Sequence, residues 1–155
     1  MADIRDLMVT RLIEVDGGTT AQQAGKRMAD NRVGAVLVVD GDRLQGILSE
    51  RDIVTRVVAA GKDPDATSAA DVATTEVVTV DVEAPFRSVL DTFRSSRFRH
   101  LPVLEGGKPV GILSTRDFLA FLVDGFERLV DNARYREQLA AGADPYDHLG
   151  GSYGR

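Results

Sequence analysis

The hydrophobic pattern of this chain comes in short blocks that change period along its length. Ala35-Val36-Leu37-Val38-Val39 is apolar at every position and mostly β-branched, the signature of a strand buried on both faces. Before it, Ala21, Ala24 and Met28 recur at helical spacing up to Asn31, and Thr20 with Gln23 three residues on forms a capping box. Residues 12–15 read as a short strand ending at Asp16-Gly17-Gly18, and residues 3–8 as a helical turn. After the apolar run, Asp40-Gly41-Asp42-Arg43 has turn chemistry and residues 44–48 give the return strand. Residues 49–60 then predict a helix that buries Ile53, Val54, Val57 and Val58, stopped by Gly61 and Pro64.

The pattern then starts again. Sliding the chain by 65 positions lays Gly46-Ile47-Leu48-Ser49-Glu50-Arg51-Asp52 on Gly111-Ile112-Leu113-Ser114-Thr115-Arg116-Asp117 without a gap. Asp6 falls on Asp71, Thr10 on Thr75, Val15 on Val80, Asp16 on Asp81, Arg32 on Arg97, Val38 on Val103 and Gly41 on Gly106. Residues 68–73 echo the opening turn, 77–80 the first strand, and Phe86, Val89, Leu90 and Phe93 the helix, opened by Pro85. Residues 100–104 and 109–113 are the paired strands, and a helix follows from 114 to about 123. Each half reads β-α-β-β-α and is too small to bury its own sheet face. The expected fold is mixed α/β (α+β), two such repeats packed with pseudo-two-fold symmetry. The boundaries drawn are 1–65 and 66–124 for the repeats, 125–142 for a helical extension and 143–155 for a flexible tail. In the extension, Phe126, Leu129, Val130 and Ala133 keep helical spacing among Arg128, Arg134 and Arg136, which read as a solvated face.

Composition narrows the chemistry. A net charge of −5 over 155 residues argues against bulk nucleic-acid binding, which leans on cationic patches. The absence of cysteine removes disulfides, zinc-thiolate sites and thiol nucleophiles. No apolar run approaches a membrane span and the first residues lack a signal core, so a cytoplasmic protein is expected. His100 and His148 are far apart, so spacing assembles no metal site.

The doubled Ser-x-x-Asp carries the candidate chemistry. A serine N-cap with a carboxylate three residues on satisfies orphan helix amides, worth about 1 kcal/mol per cap, with no ligand needed. Arg51 and Arg116, each just before the aspartate, are not explained by capping. Free amides, a hydroxyl and a guanidinium suit a phosphate, and a carboxylate suits the hydroxyls of a ribose. The spacing alone supports both readings.

The two motifs, with Arg99-His100-Leu101-Pro102-Val103, resemble tandem cystathionine-β-synthase-type (CBS) domains from about residue 4 to 123. The resemblance implies a regulatory, non-catalytic, usually dimeric module that binds AMP, ADP, ATP or S-adenosylmethionine in clefts between the repeats and requires no cofactor. It places Ser114, Thr115, Arg116 and Asp117 at a second site whose base pocket is Thr79, Val80, His100, Leu101 and Pro102. It places Ser49, Arg51 and Asp52 at a first site, with Glu14, Val15, Ala35 and Val36 around the base. Glu50 would repel phosphate where Thr115 offers a hydroxyl, Gly34-Ala35 stand in place of Arg99-His100, and Leu37 replaces Pro102, so the second site is expected to be tighter.

Three functions compete. The first is a sensor that signals nucleotide occupancy to an effector in trans. The second is a ligand-independent oligomeric scaffold of the same fold. The weakest is a nucleotide-processing enzyme, for which the sequence offers no Walker loop and no nucleophile beside a histidine.

Overall fold

The computed structural model of the chain describes residues 3–141; the tail expected at 143–155 lies outside them. Two three-stranded sheets alternate with helices. The first half contains a 3-10 turn (Ile4–Asp6), β1 (Glu14–Asp16), α1 (Ala21–Asn31), β2 (Ala35–Asp40), β3 (Arg43–Ser49) and α2 (Glu50–Ile53), which widens into a π-helical turn over Val54–Val58. The second contains α3 (Ala69–Val72), β4 (Val80–Asp81), α4 (Phe86–Ser95), β5 (His100–Glu105), β6 (Lys108–Ser114) and α5 (Thr115–Ala140).

The sheets are copies down to their registers. β1 runs parallel to β2 and β2 antiparallel to β3, with β4, β5 and β6 arranged alike. Ala35 pairs with Ser49 and His100 with Ser114, and each hairpin has one register shift, at Val38/Val39 and Val103/Leu104. The continuous apolar run is buried as expected, Ala35 through Val38 all within the core. Thr20 closes its capping box with Gln23, and Ala21, Ala24 and Met28 are the buried stripe of α1.

Four expectations need correcting. The helix after β3 buries Val57, but Val54 and Val58 are 58% and 67% exposed. Ile53 and Val57, four apart, share one face and leave their neighbours on the flank. The first strand of the second half is two residues long rather than four, Val80–Asp81. The helix expected to end near 123 and the extension beyond it are one element, α5, running 26 residues without a break. Of the second helix's expected buried face, only Val89 is fully covered.

The linker and opening turns are reciprocal straps. α3 precedes the second sheet in sequence, yet Ala69 and Val72 lie in one core with Val36, Leu48 and Val57. Residues 64–70 are laced to the start of α1: Ala69 N–H donates to Thr19 O at 2.7 Å, Ala70 N–H to Gly17 O, and Ala21 N–H to Thr67 O. Thr74 then bridges Ile47 of β3, and in the mirror-image crossing Val9 bridges Ile112 of β6. At the chain start, Arg5 pairs with Glu83 and Glu105 of the second half. These crossings explain the glycine of each motif. A Cβ on Gly46 would stand 2.9 Å from the Thr74 carbonyl oxygen, and one on Gly111 would collide with Met8. Among the described residues no helix is long and apolar enough to cross a membrane.

Candidate nucleotide clefts

Because each strap crosses to the opposite sheet, each motif faces the other repeat. Ser114, Thr115, Arg116 and Asp117 line a cleft of about 780 Å³ whose far wall is Val9, Arg11 to Ile13 and Arg32 to Ala35 of the first half. Ser49, Glu50, Arg51 and Asp52 line one of about 280 Å³ with Thr74 and Arg97 to His100. Gly34, Glu50, Arg99 and His100 border both clefts. The structure therefore gathers the motif residues as two groups and adds His100 to each. Ala35 pairs with Ser49 of the first motif along the sheet but lines the cleft of the second. Val80, Leu101 and Pro102, expected around the second base, are buried, and Thr79 lines neither cleft. Val36 is core, while Glu14 and Val15 border a separate groove beside α1.

The clefts differ in how their aspartates are used. Asp52 accepts from both the Ser49 amide (2.9 Å) and hydroxyl (2.8 Å) and pairs with Arg56 at 3.3 Å. Arg56 also donates to Val72 O at 2.8 Å and to the Thr74 hydroxyl at 3.2 Å, so this guanidinium of the smaller cleft's lining is already committed within the fold. Sixty-five positions on, the residue is Phe121. In the larger cleft, Asp117 accepts from the Ser114 hydroxyl at 2.6 Å and has no ion pair among the described residues. The Asp117 amide donates to Ser114 Oγ at 3.1 Å, so the α5 opening is capped while Asp117 lines the cleft with lone pairs to spare. Thr115 reaches back to Arg99 O at 3.2 Å. Among the described residues no three His, Cys, Asp or Glu side chains could hold a metal.

Sequence reasoning missed Arg11, Arg32 and Val33 in the larger cleft, and Arg56, Thr74, Arg97 and Phe98 in the smaller. One signal was present: Arg32 falls on Arg97 under the 65-residue shift, and each stands opposite the other half's motif.

Burial lowers the His100 pKa below its ordinary 6.5, against the upward pull of the Glu50 and Asp117 carboxylates, with Arg99 adding to the depression. The unfolded chain then takes up a proton first as pH falls. Stability from this group is present above 6.5 and declines as pH drops through that value toward the lower folded one. Denaturant titrations across this range should show that slope in the parent protein and a flatter one in His100→Gln. Identical slopes would remove His100 as its source.

The halves and their facing clefts define a paired α/β module built by duplication. The chain belongs to the CBS domain family, whose profile matches residues 4–59 and 69–124. It is similar to the CBS domain-containing protein CBSCBSPB3 of Arabidopsis thaliana, 32% identical over 150 residues, 96% of this chain but 26% of that protein. The chain thus spans about a quarter of the length of that relative. Hypoxic response protein 1 of Mycobacterium tuberculosis is 32% identical over 123 residues, 79% of this chain and 86% of that one. Among solved structures, the CBS domain protein PAE2072 of Pyrobaculum aerophilum complexed with AMP has a TM-score of 0.69 and 28% identity, covering 75% of this chain and 89% of that one.

Proposed function

We propose that this protein is a non-catalytic regulatory module that binds an adenine nucleotide in the larger cleft and passes its occupancy to an effector protein in trans. The observation that carries the reading is the Asp117 carboxylate, without an ion pair among the described residues, beside Ser114, Thr115 and Arg116, across an open cleft from the first half. Asp117 accepts the ribose hydroxyls, and the α5 opening with Ser114, Thr115 and Arg116 takes the phosphate. The AMP complex of a relative with the same fold supports this class of ligand. S-adenosylmethionine fits less well, because it has no phosphate and its sulfonium and ammonium outweigh its single carboxylate beside the guanidinium. Occupancy changes the angle between the halves only if the ligand's contacts differ between two arrangements, and a cleft walled by both halves supplies such contacts. Calorimetric titration with AMP, ATP and S-adenosylmethionine is expected to give one nucleotide per chain and a raised melting temperature. No heat and no shift at millimolar ligand would end the reading.

A scaffold reading has its own support. Arg56 occupies the smaller cleft, and Leu119, Phe126 and Leu129 of α5 are 60%, 68% and 68% exposed, as Val54 and Val58 are in the first half. These apolar side chains suit a homodimer seam. Solution mass with and without nucleotide separates the readings: a scaffold keeps its oligomer whatever is added.

A further inference from the structure

Resting on the nucleotide reading above, we propose that the larger cleft is a nucleoside polyphosphate site, in which Arg11 and Arg32 read the phosphate groups beyond the first. Four guanidinium-bearing residues, Arg11, Arg32, Arg99 and Arg116, line it against two carboxylates, Glu50 and Asp117. Among the described residues Arg32, Arg99 and Arg116 have no carboxylate within ion-pair distance. Arg11 is held by a neutral group, its Nη2 donating to Asn31 Oδ1 at 2.9 Å, and Asn31 is itself anchored to Arg27 O at 2.8 Å. The amide orients the guanidinium without cancelling its charge.

These cations come from two different walls of the cleft. Arg116 and Thr115 adjoin Asp117 at the α5 opening, where the proposed ribose and first phosphate would be held. Arg11 and Arg32 come from the opposite wall, beyond what that phosphate needs. A monophosphate leaves them uncompensated, whereas a di- or triphosphate extends toward them with more charge. Arg32 ends α1 in the left-handed region (φ 54°), where glycine or asparagine is usual, so this wall carries a cation at a position that ordinarily disfavours a side chain.

The duplication supplies an internal control. Under the 65-residue shift Arg32 is matched by Arg97, but Arg11 is matched by Glu76 and Thr115 by Glu50. The smaller cleft has the same fold, Arg56 inside it and about 280 Å³ of space. The smaller cleft also carries four arginines, Arg51, Arg56, Arg97 and Arg99, against Glu50 and Asp52, but its Arg56 is committed to Asp52 and the counterpart of Arg11, Glu76, does not line it.

The full chain should be titrated calorimetrically with ATP, ADP and AMP in magnesium-free buffer at fixed salt, beside Arg11→Glu, Arg32→Gln and, as control, Arg97→Gln. The parent is expected to bind ATP about tenfold or more tighter than AMP. Arg11→Glu, which installs the other half's residue, is expected to lose about tenfold for ATP and no more than about twofold for AMP. Arg32→Gln should act in the same direction, and Arg97→Gln should leave both affinities unchanged. Equal affinities for AMP and ATP in the parent, equal losses for both in the Arg11 and Arg32 variants, or a loss of ATP affinity in Arg97→Gln would overturn the proposal while leaving a nucleotide site in place. Failure of the parent to bind any of the three would overturn the nucleotide reading itself.

Discussion

Asp117→Ala is expected to weaken AMP binding by about one to two orders of magnitude, while Asp52→Ala leaves it within about twofold. The motifs are copies, so the contrast comes from their surroundings. A hydrogen bond to a charged partner is worth about 1.5–3 kcal/mol, and each 1.4 kcal/mol is about tenfold in affinity. Asp117 has that capacity free, holding only the Ser114 hydroxyl. Asp52 has spent its capacity within the fold, on Ser49 twice and on Arg56, and its side chain is 13% exposed. Its removal falls on stability instead. The Ser49 amide and hydroxyl lose their carboxylate acceptor and Arg56 its counter-ion, a destabilisation of about 1–3 kcal/mol. Asp117→Ala costs less in stability, because among the described residues Asp117 has no ion pair to lose, whereas Asp52 holds both the Ser49 amide and Arg56. Calorimetry and thermal melts on the pair decide the matter, and the reverse pattern would move the ligand to the smaller cleft.

The sequence made the repeat unit legible and left its partner choice open. The 65-residue shift predicts the second sheet's register from the first, because equal apolar patterns with equal turns fix equal pairings. It does not say whether residues 69–72 cover their own sheet or the preceding one. Both arrangements keep the same residues apolar. For the same reason the base pockets were drawn within each half, around Leu101 and Pro102, whereas the structure buries those two and turns each motif toward the other half. Arg56 escaped for the opposite reason. A search for repetition weighs what is shared, and Arg56 and Arg11 matter because Phe121 and Glu76 replace them. Val54 and Val58 misled because a run of valines reads as core wherever a helix is expected, while only one face of that helix is covered.

The crossed straps set the largest stability effect. Val72 belongs by sequence to the second repeat, yet it is 1% exposed in the core of the first, against Val36, Leu48 and Val57. Val72→Asp puts a carboxylate among apolar side chains with no partner built for it. An uncompensated buried charge costs about 3–5 kcal/mol, a large share of the 5–15 kcal/mol that about sets a domain's whole stability. Val72→Ala, which removes about two methyl-sized groups, should cost about 2–3 kcal/mol through lost burial and the cavity left behind. The location of the damage is the sharper reading. Hydrogen exchange on Val72→Ala should show the amides of β2 and β3 losing protection before those of β5 and β6, although residue 72 sits on the second repeat's side of the linker. The unstrapped edge of β3, where Thr74 now bridges Ile47, is where opening should start. Protection lost first in β5 and β6 would mean that α3 covers its own sheet. The smaller cleft would then lose Thr74, which that crossing brings to the first motif.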